Sequence, residues 1–169
     1  MLLDVSKLKN EPGGTLAFEV SLDLSDLTFC GDCRAAQPVH AAGTVRNTAD
    51  VFVLSGELTA TLEGVCDRCA KPVTRAISIP MHAVLSEALA NDDGEEDPWL
   101  FLLDGDKADL DEIVTTTFVL GMDTKFLCRD DCKGLCPSCG KDLNLGPCDC
   151  KAEPDPRLAV LKQLLKEKE

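Results

Sequence analysis

Leu16-Ala17-Phe18-Glu19-Val20-Ser21-Leu22-Asp23-Leu24 carries apolar side chains at every even position and small or polar ones between them. A period of two lays one apolar and one solvated face along a strand. The same alternation returns in Leu54, Leu58, Ala60 and Leu62 against Glu57, Thr59, Thr61 and Glu63. It returns again in Ile77, Ile79 and Met81 against Ser78 and His82. Strands with a single polar face belong to an antiparallel sheet that buries the other face. Asn47-Thr48-Ala49-Asp50 reads as a turn between two of them. Pro80, which has no N–H to donate, marks an edge strand or a bulge.

Beyond the sheet the composition shifts. From Glu87 to Glu112 eleven acidic residues are opposed only by Lys107, and residues 87–109 read as an acidic linker. Asp109 then caps a helix, with Glu112 placed as in a capping box. Leu110, Ile113, Val114, Thr117 and Phe118 fall on one face of that helix. Asp155-Pro156 opens a second helix, at the C-terminus, with Leu158, Leu161 and Leu165 as its apolar stripe. The organisation expected is therefore a β-rich part over 1–86, the linker, and a helical, cysteine-rich part over 110–169 that folds as one domain with the first. The fold class is α+β: an antiparallel sheet that can curl into a partial barrel, then helix, metal knuckle and terminal helix.

The chain has ten cysteines, six of them between positions 128 and 150. Cys136-Pro137-Ser138-Cys139 and Cys148-Asp149-Cys150 are close thiol pairs joined by a short loop, which is what a tetrahedral zinc site needs. The opening residues show no basic segment, no apolar run and no cleavage site of a secretory leader. In a reducing cytoplasm, clustered thiols are metal ligands before they are disulfides. One zinc site takes Cys136, Cys139, Cys148 and Cys150, because ligands close in sequence close a small loop. A second groups Cys66, Cys69, Cys128 and Cys132 and staples the sheet to the C-terminal part. Other groupings stay open: Cys132 can replace Cys148 or Cys150, and Cys30 with Cys33 can supply half of a site. A redox dithiol and an iron–sulfur centre are also chemically admissible, although no βαβ pattern surrounds any pair.

The formal net charge is −13. A filled four-thiolate zinc site adds two more negative charges, giving about −15 for one site and about −17 for two. Such a body repels phosphate backbones, so direct RNA contact is disfavoured and basic proteins are the natural partners. The same charge also serves plain solubility. No apolar stretch reaches the ~20 residues of a membrane span. Catalytic signatures are missing: the two histidines, His40 and His82, sit in strand-like sequence, and no nucleophile elbow, phosphate loop or metalloprotease helix occurs. All-cysteine zinc sites are closed and structural, so the chain reads as a non-enzyme.

Several stretches carry a family resemblance. Cys66-Asp67-Arg68-Cys69-Ala70-Lys71-Pro72 at a strand end, after Gly43-Thr44-Val45-Arg46-Asn47, resembles the YceD family of large ribosomal RNA subunit accumulation proteins. The run from Leu127-Cys128-Arg129-Asp130-Asp131-Cys132 through Cys136-Pro137-Ser138-Cys139-Gly140-Lys141-Asp142-Leu143-Asn144 is similar to the zinc-knuckle extension of a subset of that family. So is Asp155-Pro156-Arg157-Leu158-Ala159-Val160-Leu161. The matching positions are Cys66, Arg68, Cys69 and Pro72, then Cys128, Cys132, Cys136, Cys139, Cys148 and Cys150; Cys30 and Cys33 lie outside the pattern. The resemblance implies a cytoplasmic, non-enzymatic factor needed for large-subunit ribosomal RNA to accumulate. Its zinc would be structural, and ribosomal or ribosome-assembly proteins would be its partners. Two rival readings are an acidic adaptor that binds a basic protein through 87–112, and a thiol-redox or metal enzyme.

Overall fold

The computed structural model describes residues 1–48, 51–87 and 98–150. Its elements run β1 (Leu2–Asp4), α1 (Ser6–Lys9), β2 (Thr15–Leu22), β3 (Arg34–Ala35), β4 (Val39–Thr48), β5 (Val51–Val65), β6 (Pro72–Ser86), β7 (Leu100–Leu102), β8 (Lys107–Asp109) and α2 (Leu110–Gly121). The main sheet has the order β2-β4-β5-β6-β7, with β3 paired to the far end of β5. Pairing is antiparallel throughout except for β7, which lies parallel to the end of β6. The sheet is open, ending at β2 and β7; among the described residues it does not close into a barrel.

The alternation in sequence becomes the two faces of this sheet. Phe18 and Val20 on β2, Val45 on β4, Leu54, Leu58 and Leu62 on β5, and Ile79, Met81 and Leu85 on β6 all point inward and are buried. Glu57, Thr59 and Glu63 face solvent. At the crossing of β4 and β5 the paired residues are Gly43 and Gly56, and a β-carbon on Gly43 would stand 2.3 Å from the Ser55 carbonyl oxygen. Phe18, the register partner of Gly43, covers the gap with its ring.

Helix α2 seals the apolar face. Its N-cap is Asp109, whose side chain accepts from the Asp111 amide, and it buries Leu110, Ile113, Val114, Thr117 and Phe118. Phe118 meets Phe29 edge to face, with centroids 5.4 Å apart. The three threonines that weaken helix propensity are tolerated because tertiary packing holds the segment.

Three features depart from the sequence reading. Asn47 and Thr48 belong to β4, not to a turn: Thr48 pairs with Val51. Asn47 is fully buried and its amide donates to the Leu8 carbonyl (2.6 Å), tying α1 to the sheet. Pro80 lies in β6, an inner strand, opposite Glu57. Among the described residues no strand pairs with its other side, since β7 pairs only with Val84, Leu85 and Ser86. Finally, the stretch read as linker contains β7 and β8, and β8 pairs with β1. The acidic run 91–97 and the helix expected from Asp155 lie outside the described residues. Among the described residues no helix is long and apolar enough to cross a membrane.

Candidate metal centres

Strands β5 and β6 pair up to Val65 and Pro72, which confines residues 66–71 to a tight loop. Its backbone curls around the two thiols. The Cys66 amide donates to the Lys71 carbonyl and the Ala70 amide to the Cys66 carbonyl, both at 2.8 Å. Ala70 pays the conformational toll of that curl by adopting the left-handed region, φ +53°. Cys66 and Cys69 are buried as a result. Asp67 then recruits the incoming chain: its carboxylate accepts from the Phe126 amide (2.6 Å) and its own amide donates to the Phe126 carbonyl (2.9 Å). Two residues later comes Cys128, and a turn closed by the Cys132 amide on the Arg129 carbonyl brings in Cys132.

Residues 136–141 repeat this loop. The Cys136 amide donates to the Lys141 carbonyl and the Gly140 amide to the Cys136 carbonyl, again both at 2.8 Å. Gly140 occupies the position of Ala70, with φ +71°. The chain returns with Cys148 and Cys150, and the loop between is held by the Lys141 ammonium on the Pro147 carbonyl.

Eight cysteines therefore form two groups, Cys66, Cys69, Cys128 and Cys132, and Cys136, Cys139, Cys148 and Cys150, each with its sulfurs within 4.8 Å of one another. In the first group Cys66 and Cys132 sulfurs are 3.8 Å apart and those of Cys69 and Cys128 3.7 Å. A metal–sulfur bond of about 2.3 Å in a tetrahedron separates its sulfurs by about 3.8 Å, whereas a disulfide needs about 2.05 Å. The donor set fits a tetrahedral, thiolate-binding ion. Each group can hold one metal ion; among the described residues these are the groupings assembled, Cys132 lies with Cys66, Cys69 and Cys128, and the Cys30 side chain is outside the description. Cys33 is buried instead in the main core beneath the sheet.

Four thiols this close share protons unequally. Burial pushes Cys66 up, but the backbone amides of Cys128, Arg68 and Cys69 outweigh it and hold the thiol at about 6. The amides of Cys139 and Ser138 hold Cys136 at about 6. Burial and then the neighbouring sulfurs raise Cys128 to about 12, and the hydrogen bond with Cys139 and burial raise Cys150 to about 12. Each group thus contains a thiol that ionises readily beside one that holds its proton near neutral pH, and a bound cation would favour ionisation of both.

Around the sulfurs lies a shell that spacing alone does not announce. Arg68 donates to the Cys132 carbonyl (2.8 Å), while its own carbonyl accepts from Leu135 (3.0 Å). Asn144 donates to the Cys132 sulfur (3.5 Å) and Lys71 pairs with Asp142 (2.6 Å). The Lys71 ammonium and the hydrogen bonds from Asn144 hold the Asp142 carboxyl down at about 2. Asp142 and Asn144 carry one detectable signal, an Asx turn in which the Asn144 amide donates to the Asp142 carboxylate. Of the histidines, His40 stands 3.1 Å from the Glu19 carboxylate on the sheet and His82 is exposed.

Comparison with known proteins adds a family. The family model described as Large ribosomal RNA subunit accumulation protein YceD matches residues 54–165, spanning both cysteine groups. The uncharacterized protein Rv2926c of Mycobacterium tuberculosis is 28% identical over 123 residues, 72% of this chain and 59% of its own length. The uncharacterized protein YlbN of Bacillus subtilis is 26% identical over 170 residues, 96% of this chain and 95% of its own length. The chain thus spans 59% of the first mycobacterial relatives and nearly all of the Bacillus one. No solved structure matches it.

Proposed function

The chain belongs to the family of large ribosomal RNA subunit accumulation proteins, and we propose that it acts as a zinc-stabilised, non-enzymatic factor that supports accumulation of large-subunit ribosomal RNA. The observation that carries this reading is the family match running across two four-sulfur groups, each within 4.8 Å, the first of them with sulfur pairs at tetrahedral spacing. Closed, all-thiolate sites leave no position for water or substrate, so the two ions would serve architecture and not chemistry. Cys66, Cys69, Cys128 and Cys132 would hold one, and Cys136, Cys139, Cys148 and Cys150 the other.

In this reading the working surface is the sheet and what flanks it, with the β-rich part over 1–86, the acidic stretch over 87–109 and the remainder over 110–169 acting as one unit in the cytoplasm. A charge of −13 steers the protein away from naked RNA and toward basic partners, ribosomal or ribosome-assembly proteins among them. Deleting the gene should lower large-subunit RNA relative to small-subunit RNA, and the intact gene should restore it. An unchanged ratio removes the proposal. Elemental analysis of the isolated protein should return two zinc ions per chain; iron or no metal removes the zinc clause alone.

A further inference from the structure

The first cysteine group is the harder one to assemble. Cys66 and Cys69 lie about 60 residues before Cys128 and Cys132, so the group closes a long loop, whereas the second group needs only residues 136–150. Yet the first group borrows a hydrogen bond from the second. Asn144, inside the loop between Cys139 and Cys148, donates from Nδ2 to the Cys132 sulfur (3.5 Å) and to Asp142 Oδ1 (2.7 Å). Its Oδ1 accepts from the Lys133 amide (2.9 Å) and from Arg129 Nη2 (2.8 Å). Both hydrogens and both lone pairs of one amide are in use. The orientation is fixed by chemistry, because the Lys133 N–H can only donate and must face the oxygen. One side chain therefore braces residues 129–133, between and beside two ligands of the other group.

A second link runs the opposite way. Lys71, two residues after Cys69, pairs with Asp142. The backbone adds to it: Leu143 donates to the Gly134 carbonyl and Leu135 to that of Arg68.

We propose that Asn144 makes the two cysteine groups one coupled unit, in which an ion in the second group orders the loop bearing Asn144 and so raises the affinity of the first group for its ion. The inference rests on the two-ion reading above. A hydrogen bond to a thiolate favours its charged form, and a loop already closed presents that bond without further loss of entropy. Linkage requires the coupling to be mutual, so filling the first group must tighten the second by the same factor.

The test is a chelator-competition titration of the full chain with zinc, and with cobalt(II) for its thiolate charge-transfer absorption. Single-group chains come from Cys136→Ser with Cys139→Ser, and from Cys69→Ser with Cys128→Ser. Asn144→Ala should weaken the first group about 10- to 100-fold, the usual effect of deleting an outer partner of a ligand. Loss of the second group should weaken the first by a similar factor, and adding Asn144→Ala to that chain should change little more. Asn144→Asp keeps the acceptor for Lys133 and Arg129 but loses the donor to sulfur, so it should reproduce the loss and shift the first group's cobalt band. An unchanged first group in the chain lacking the second, or losses that simply multiply, overturns the coupling while leaving two ions in place. A wild-type chain that binds no ion overturns both readings.

Discussion

The loops 66–71 and 136–141 share one hydrogen-bonding pattern but carry different residues at the matching left-handed position, Ala70 and Gly140, which predicts a pair of substitutions of opposite sign. Ala70 and Gly140 both hold positive φ, +53° and +71°. For a residue with a β-carbon the left-handed region costs about 1–2 kcal/mol. Against this, a glycine adds about 0.4–1 kcal/mol of freedom to the unfolded chain. Ala70 is exposed, and a β-carbon on Gly140 would meet nothing within 4 Å, so packing does not confuse the comparison. Ala70→Gly should therefore stabilise the protein by about 0.5–1 kcal/mol, and Gly140→Ala should destabilise it by about as much. With a urea slope of about 2 kcal/mol/M the midpoints should move about 0.25–0.5 M in opposite directions. The assay is urea unfolding at a fixed zinc concentration, because any ion that binds the folded state alone would add to apparent stability. Shifts of the same sign, or a destabilising Ala70→Gly, would refute the claim that the two loops share one backbone geometry.

Three other outcomes follow from particular atoms. Gly43→Ala drives a β-carbon to 2.3 Å from the Ser55 oxygen and 2.6 Å from the Gly56 Cα, so it should cost about 1–3 kcal/mol in urea unfolding. Thr117 has a buried hydroxyl without a hydrogen-bond partner among the described residues, and Thr117→Val should raise stability by about 1–2 kcal/mol and Tm by about 2–6 °C. At pH 8 Cys66 and Cys136, near 6, are already thiolates, while Cys128 and Cys150, near 12, keep their protons. Loading both groups should then release protons, measurable with an indicator dye. Apparent zinc affinity should rise with pH across neutrality and fall faster below about 6, where Cys66 and Cys136 also protonate; a flat profile contradicts this.

Periodicity reached the sheet because β2, β5 and β6 are long and bury a single face. The apolar face read for the first helix consists of the five residues that α2 buries. Strand β7 escaped because three residues after an acidic run carry too short a pattern to register, and its parallel pairing with β6 is set by tertiary contact. Asn47 misled for a chemical reason: Asn followed by Thr, Ala and Asp has turn composition, yet its amide is used inside the core on Leu8. The eight cysteines that the structure gathers into two groups were legible as spacing, but the shell around them was not. Arg68, Asp142 and Asn144 act through backbone groups and single sulfurs at long sequence separation, a relation no local pattern encodes.

The separation of Cys69 from Cys132 also has a temporal side. At about 5–20 residues per second, a ribosome needs about 3–13 s to make the 63 residues from Ala70 through Cys132. In the two-ion reading proposed above, the emerging pair would be a bidentate clamp without its other half throughout that interval, open to oxidants and to copper, which thiolates bind more tightly than zinc. On that reading, maturation of this protein would depend on what the nascent chain encounters while it waits.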